Sequence, residues 1–223
     1  MAGRKAANPF IYGVLKFALF ISYRFFFRFQ CFGQEKVPSP TDKRGVILAP
    51  NHASYLDPPI LGISLKKRVT FLAKDYLFKN SFVGWVLRSI AAYPIKSGEG
   101  EDIKSIRELI RLLKDGHWVV VFPEGTRTED GSLRPAETGA SFLAAKSGAY
   151  IQPVYIDGSF EAFPRSAKWF RRHPIKVYFG EPFIPAEDKE LLHAENHYQA
   201  VGEKIMARIK ELKAAAEIQK QKV

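Results

Sequence analysis

The chain carries 223 residues, 46% of them apolar and 26% charged, a length and balance that suit one domain with a sizeable core and exclude wholesale disorder. One cysteine, Cys31, excludes an internal disulfide and a thiolate metal cluster, and fits a reducing compartment with the thiol used for packing. The formal net charge of +11 leaves three kinds of anionic partner open: nucleic acid, acidic lipid headgroups and phosphorylated substrates.

From the N-terminus, residues 10–29 are apolar and aromatic with few interruptions, and Lys16, Arg24 and Arg28 are their only charges. On a helix these cations share about one third of the circumference and the other faces are apolar. Twenty helical residues would reach about 30 Å, enough to cross a bilayer core, but three charges make a span costly. A helix lying in the interface with its cations on lipid phosphates is expected instead. The charges and the lack of a small-residue cleavage site argue against a signal peptide. A core helix is the competing reading, and so much phenylalanine disfavours it. Residues 1–36 are thus expected to form a membrane-associated helical segment, and residues 37–223 the main domain. Aromatics gather in this first run rather than interleaving with Lys and Arg, so no nucleic acid is expected as a partner.

Breaker-rich residues 37–45 lead into alternating strand and helix patterns. Strands are expected at 46–49, 69–73, 92–95, 118–122, 151–156 and 175–179, several of them continuously apolar, as in strands covered on both faces. Helices are expected between them at 58–65, 82–90, 102–114 and 138–147. In the third, Ile103, Ile106, Leu109, Ile110 and Leu113 share one side, and Gly116 acts as a C-terminal stop. A last helix from about Ala186 is expected to dock through Leu191, Tyr198, Val201, Ile205 and Leu212 and to fray from Lys213. The alternation predicts an α/β domain with a mixed, largely parallel sheet flanked by helices.

Two short stretches carry chemistry. Asn51-His52-Ala53-Ser54-Tyr55-Leu56-Asp57 follows the first strand of the main domain, where α/β sheets place their sites. Asp57 precedes two prolines and suits a helix N-cap with Pro58 at the first helical position. Its carboxylate can also accept Nδ1–H of His52, which fixes the tautomer and leaves Nε2 as a base. Phe122-Pro123-Glu124-Gly125-Thr126-Arg127 turns off a later strand. There Gly125 permits close backbone approach, Thr126 offers a hydroxyl, and Arg127 offers a planar fork matched to phosphate. Taken singly, a helix cap and a solvated surface turn would also account for these residues. A metal site built from His52, Asp57 and Glu124 is disfavoured, because no second histidine lies near and the spacing fits no metal motif; no metal is expected.

In order and spacing the two stretches resemble the first and third motifs of the glycerolphosphate acyltransferase superfamily, whose bacterial members include 1-acyl-glycerol-3-phosphate acyltransferases. Ala92-Tyr93-Pro94-Ile95-Lys96 resembles the second motif and Ile151-Gln152-Pro153-Val154 the fourth, so the similarity extends over residues 45–180. The resemblance implies that His52, oriented by Asp57, is a general base on an acceptor hydroxyl. That oxygen would attack the thioester of acyl-CoA or acyl carrier protein directly, with no covalent acyl-enzyme and no cofactor. Glu124, Gly125 and Arg127 would hold the glycerol phosphate with Thr126 supporting the loop, Lys96 would add charge, and Pro153 would help to shape the acyl site. Lysophosphatidic acid is the implied acceptor and phosphatidic acid the product. Glycerol 3-phosphate, another lysophospholipid or an aminolipid are alternative acceptors, and a non-catalytic membrane-surface protein is the alternative of another class. The N-terminal segment resembles the family's membrane anchor, which implies an anionic membrane surface as partner and a peripheral or monotopic place on the cytoplasmic face of the cell membrane.

Two departures stand out. The second motif usually ends in arginine, whereas Lys96 keeps the charge and loses the bidentate fork. After the third motif, where the family often shows an aromatic residue and lysines, Pro135-Ala136-Glu137-Thr138-Gly139-Ala140 removes positive charge and leaves Arg134 as a candidate replacement.

Overall fold

The computed structural model describes residues 9–79, 84, 92–95 and 101–221; the helix expected at 82–90 lies, but for residue 84, outside them, as does Lys96. Helix α1 (Pro9–Phe27) and strand β1 (Gln30–Phe32) precede the alternating part of the chain. That part runs β2 (Val46–Pro50), α2 (Asp57–Ser64), β3 (Val69–Lys74), β4 (Ala92–Ile95), α3 (Glu101–Lys114) and β5 (Trp118–Val120). It continues through α4 (Gly139–Ser147), β6 (Tyr150–Asp157), α5 (Ser159–Ala162) and β7 (Lys176–Phe179), then closes with α6 (Lys189–Leu192) and α7 (His197–Gln221).

Among the described residues seven strands form one sheet in the order β1-β7-β6-β2-β5-β3-β4. Only β6 and β7 pair antiparallel; the other neighbours are parallel. The expected α/β class with a mixed, largely parallel sheet is therefore the observed one. Val46, Ile47, Leu48 and Ala49 are wholly inaccessible, which is why β2 reads as a continuous apolar run rather than an alternating one. Leu48, Val154 and Ile156 face one layer, where Ile60 and Leu61 of α2 and Tyr23 and Phe27 of α1 join them. Ile47 and Ile151 face the other layer, with Leu113 of α3, Ala144 of α4, and Val201 and Ile205 of α7.

The structure departs from the expected elements in several places. Strand β1, with register Gln30↔Lys176, was not expected, because three residues after a long aromatic helix leave no alternation to read. Ile103 and Ile106 are exposed, so α3 docks through Leu109 and Leu113 in its C-terminal half. Gly116, at φ +80°, does stop α3, and a Cβ there would meet the Lys43 carbonyl at 2.6 Å. The last helix is divided. Asp188 caps α6 by accepting from the N–H groups of Glu190 and Leu191, and the long helix starts only at His197. Nor does it fray from Lys213: Ala216 is buried, and Lys220 reaches Asp157 at 2.8 Å.

Helix α1 has two faces of different character. Lys16, Tyr23 and Phe27 lie inward, with Tyr23 and Phe27 buried. Phe10, Val14, Phe17, Ile21 and Phe25 recur at i, i+4, i+7, i+11 and i+15, and all are exposed. The cations do not sit as expected. The ammonium of Lys16 donates to the Leu65 carbonyl at the end of α2, and burial lowers its pKa. Arg24 donates to the Phe29 carbonyl at 3.0 Å. No described helix is long and apolar enough to cross a membrane.

The C-terminal half of α1 is thus part of the core, and removing it would open the domain. Phe27→Ala is expected to lower unfolding free energy by about 3–5 kcal/mol, as for other buried phenylalanines. Phe17→Ala, 68% exposed, should change it by less than about 0.5 kcal/mol. Paired urea titrations compare the two, and equal midpoints would show that α1 is only appended.

Candidate active site

The site lies where chain leaves the C-terminal ends of β2 and β5, which are adjacent and parallel. Past β2, buried Asn51 ties the loop to the next strand: its Oδ1 accepts Ile156 N–H at 2.7 Å and its Nδ2 donates to Ile156 O at 3.1 Å. His52 follows, with Nδ1 at 2.8 Å from Asp57 Oδ2. Asp57 is inaccessible, whereas 17% of the His52 side chain is exposed, so the dyad has one protected end and one open end. Asp57 does not cap α2 as expected. Leu56 precedes the helix, no side chain caps it, and the Asp57 carboxylate turns back to accept the N–H groups of Ala53 and Ser54, each at 2.8 Å. Proline at the start of the helix removes an N–H that would otherwise compete for that carboxylate. Two backbone donors and the imidazole meet on one oxygen of the acid, which orients the ring with Nδ1 inward.

The second stretch closes over the first. Phe122 stacks on the His52 ring, with centroids 3.7 Å apart and planes 18° from parallel. Glu124 is only 3% exposed. Its Oε1 accepts the backbone N–H of His52 at 2.8 Å, and its Oε2 accepts that of Arg134 at 2.9 Å. Burial pushes its carboxyl pKa up, against the pull of those two donors. Thr128 N–H donates to His52 O at 2.9 Å, so the two loops are joined on both sides of the histidine. Gly125 adopts φ +68°, and a Cβ there would come within 2.9 Å of Glu137 Cγ, so this turn requires glycine. Gly125 and Thr126 are exposed at the loop tip, and Arg127 is half-buried.

Arg127 lies flat on Tyr55, with Cζ 3.5 Å from the ring centroid. Its Nη1 is buried and has no acceptor from the protein. The guanidinium is thus held on an aromatic face with one donor unsatisfied.

The structure thus brings together His52, Asp57, Glu124 and Arg127, with Gly125 and Thr126 at the same loop tip. Pro153 stands apart, inside β6 and opposite Ala49, where its missing N–H is tolerated because the β7 ladder begins at the next residue, Val154↔Phe179. Lys96 lies outside the described residues. Sequence reasoning gave no role to Phe122, Tyr55 or Asn51. An aromatic residue next to each polar motif was the available signal, but neither stacking partner is predictable from spacing. Cys31 is half-buried in β1, and burial raises its thiol pKa to about 11, in keeping with packing.

Comparison with known proteins agrees with this geometry. Residues 28–157 match the family model described as Acyltransferase. The chain is 32% identical to the 1-acyl-sn-glycerol-3-phosphate acyltransferase of Bacillus subtilis (strain 168), over 81% of this chain and 86% of that protein. It is 28% identical to the lyso-ornithine lipid O-acyltransferase of Pseudomonas aeruginosa, over 58% of this chain and 49% of that one. The crystal structure of the 1-acyl-sn-glycerophosphate acyltransferase PlsC from Thermotoga maritima shares the fold, with a TM-score of 0.77, 97% of this chain and 84% of that chain covered, and 23% identity. The chain belongs to the acyltransferase family.

Stacking on Tyr55 should preorganise Arg127. Tyr55→Leu is expected to weaken binding of glycerol 3-phosphate by roughly 2- to 30-fold, corresponding to a cation–π contact of about 0.5–2 kcal/mol, while Tyr55→Phe keeps most of the affinity. Titration calorimetry measures both, and equal loss in the two variants would assign the effect to the hydroxyl instead.

Proposed function

We propose that the protein transfers a fatty acyl group from a thioester, acyl-CoA or acyl carrier protein, to the free hydroxyl of 1-acyl-glycerol 3-phosphate, giving phosphatidic acid. The observation that carries this reading is the meeting, across two loops, of a buried-acid-oriented histidine and an arginine with a buried, unanswered donor. The named activity of the Bacillus subtilis relative, which aligns over most of both chains, supports the same acceptor.

His52 Nε2 takes the hydroxyl proton as the oxygen attacks the thioester carbonyl. The new C–O ester bond forms, the C–S bond breaks, and the imidazolium returns the proton to the leaving sulfur. Asp57 stabilises that imidazolium and never needs to take the proton itself. Arg127 holds the acceptor phosphate, with exposed Gly125 and Thr126 alongside and Lys96 adding charge. Glu124 serves acceptor binding by fixing the loop, since both its oxygens are already engaged by backbone N–H groups. Pro153 contributes to the acyl-binding side. Holding the two substrates in register supplies much of the rate, since effective molarities can reach about 10⁵ M or more. The exposed apolar stripe of α1 would rest in the interface of an anionic membrane, a peripheral or monotopic attachment on the cytoplasmic face. The lyso-ornithine lipid relative favours a second reading, an aminolipid acceptor, in which Arg127 would meet a carboxylate instead of a phosphate.

Purified protein given a panel of lysolipids with each donor type, read by mass spectrometry, tests the acceptor; product only from aminolipids would overturn the phosphate reading. His52→Ala is expected to lower kcat by about 10²–10⁴-fold or more with the fold intact by circular dichroism. Most activity surviving when chemistry limits the rate would sink the mechanism. Arg127→Lys should raise KM for the phosphorylated acceptor and leave the donor KM nearly unchanged, because a point charge replaces the fork. A rise confined to the donor would move Arg127 to the thioester side.

A further inference from the structure

An interfacial helix holds an anionic bilayer by apolar insertion plus cations on lipid phosphates. Helix α1 has the first and little of the second: Lys16 is turned inward onto the Leu65 carbonyl, Arg24, though exposed, is bonded to the Phe29 carbonyl, and exposed Arg28 stands just past the helix end. Further charge lies elsewhere in sequence and beside α1 in space. Between α5 and β7 the chain reads Phe163-Pro164-Arg165-Ser166-Ala167-Lys168-Trp169-Phe170-Arg171-Arg172, with four cations and no acid. All four cations are exposed, as are Trp169 at 81% and Phe170 at 54%. An exposed tryptophan among arginines is costly in water and suits a membrane interface, where its ring sits at headgroup level.

This loop is fixed against the outer end of α1. Phe170 meets Phe27 edge-on at 5.9 Å and Phe26 at 6.3 Å, and the Arg172 guanidinium lies 5.6 Å from the ring of exposed Phe25. Its backbone is pinned at both ends, by Arg171 N–H on Ala162 O at 2.6 Å and by Ile175 N–H on Phe27 O at 2.8 Å. At its start Phe163 touches the catalytic loop: Ser54 Oγ donates to Phe163 O at 2.7 Å, and the Phe163 ring lies 5.9 Å from that of Tyr55, the residue beneath Arg127.

We propose that residues 163–172 are a second membrane-contacting element, which continues the apolar stripe of α1, adds four cations beside it, and seats the mouth of the His52 site on an anionic bilayer. This rests on the bilayer reading of α1. Charge complementarity selects the occupant, because an apolar patch ringed by cations matches anionic lipid and not neutral lipid.

The test uses the full chain with vesicles of phosphatidylglycerol and phosphatidylcholine, the latter brominated on the acyl chains near the headgroup. Three tryptophans are present. Trp118 is buried at 2% exposure, so Trp169→Phe is expected to remove at least about half of the lipid-induced quenching of tryptophan emission, Trp169 lying in the interface. Replacing Arg165, Lys168, Arg171 and Arg172 by glutamine should lower partitioning into anionic vesicles by at least about tenfold at low salt and leave partitioning into neutral vesicles unchanged. Phe10→Ser with Phe17→Ser, measured in parallel, reports on α1 alone. Loss of binding in that variant, with quenching and partitioning unchanged in the loop variants, overturns the loop proposal and keeps the α1 reading. The converse overturns the α1 reading and leaves the loop as the contact. Trp169-dependent self-association without lipid quenching would assign the face to a second copy of the chain and overturn the proposal.

Discussion

A carboxylate removed from water must find donors, and the two that Glu124 finds determine how the rest of the site is arranged. One is the backbone N–H of His52, seventy-two residues away in sequence, and the other that of Arg134. Through them three chain segments are locked: the loop after β2, the turn after β5 and the stretch leading to α4. With Thr128 N–H on the His52 carbonyl, the histidine backbone is held from both sides. The imidazole is then held by two contacts of its own, its face on Phe122 and its Nδ1 at the Asp57 carboxylate. Breaking this clamp would leave a buried charge unanswered, a larger loss than an ordinary surface hydrogen bond. The acid of the third motif therefore fixes where His52 stands, and the arginine three residues on takes no part in the clamp.

The sheet makes that clamp possible. Strands β2 and β5 are parallel neighbours although α2, β3, β4 and α3 lie between them in the chain, so their loops emerge side by side at one edge and residues 52 and 124 come within hydrogen-bond reach. On the other side of β2, Asn51 takes both backbone groups of Ile156, which fixes the loop to β6 as well. The loop that carries His52 is thus tied to both neighbours of its own strand, which fixes its side chains in place.

Much of this was legible in the sequence where the physical signal was local. Central strands announce themselves because both faces are covered, and β2 and β6 lie where their apolar runs put them. The His52–Asp57 pair was legible because both partners lie on one short loop. Less visible were features that depend on where a residue's neighbours end up. Nothing in residues 10–29 distinguishes the inward Tyr23 and Phe27 from the outward Phe17 and Phe25, since every face carries aromatics. The cationic arc suggested contact with lipid phosphate, yet carbonyls at the end of α2 and after α1 answer Lys16 and Arg24 first. Ile103 and Ile106 fit the helical period of α3 and still point to solvent, because periodicity reports a face and not the length of the surface it meets.

The two faces of α1 bear on how the substrate reaches the base. Tyr23, on the inner face, is buried near enough to Asp57 that burial first, and that carboxylate second, raise its phenol pKa. Val14, Phe17, Ile21 and Phe25 occupy the opposite face. A helix with its side chains is about 10–12 Å across, so the body of α1 stands between the orienting acid and the exposed stripe. If that stripe marks the membrane plane, a lysolipid could present its glycerol hydroxyl to His52 with most of its acyl chain still in the bilayer. The cost of exposing that chain to water, about 0.8 kcal/mol per methylene, would then be avoided rather than repaid by the protein. Such an arrangement needs no deep cavity around the lipid tail. It needs a rigid base at a fixed height above the interface, which is what a helix shared between core and surface provides.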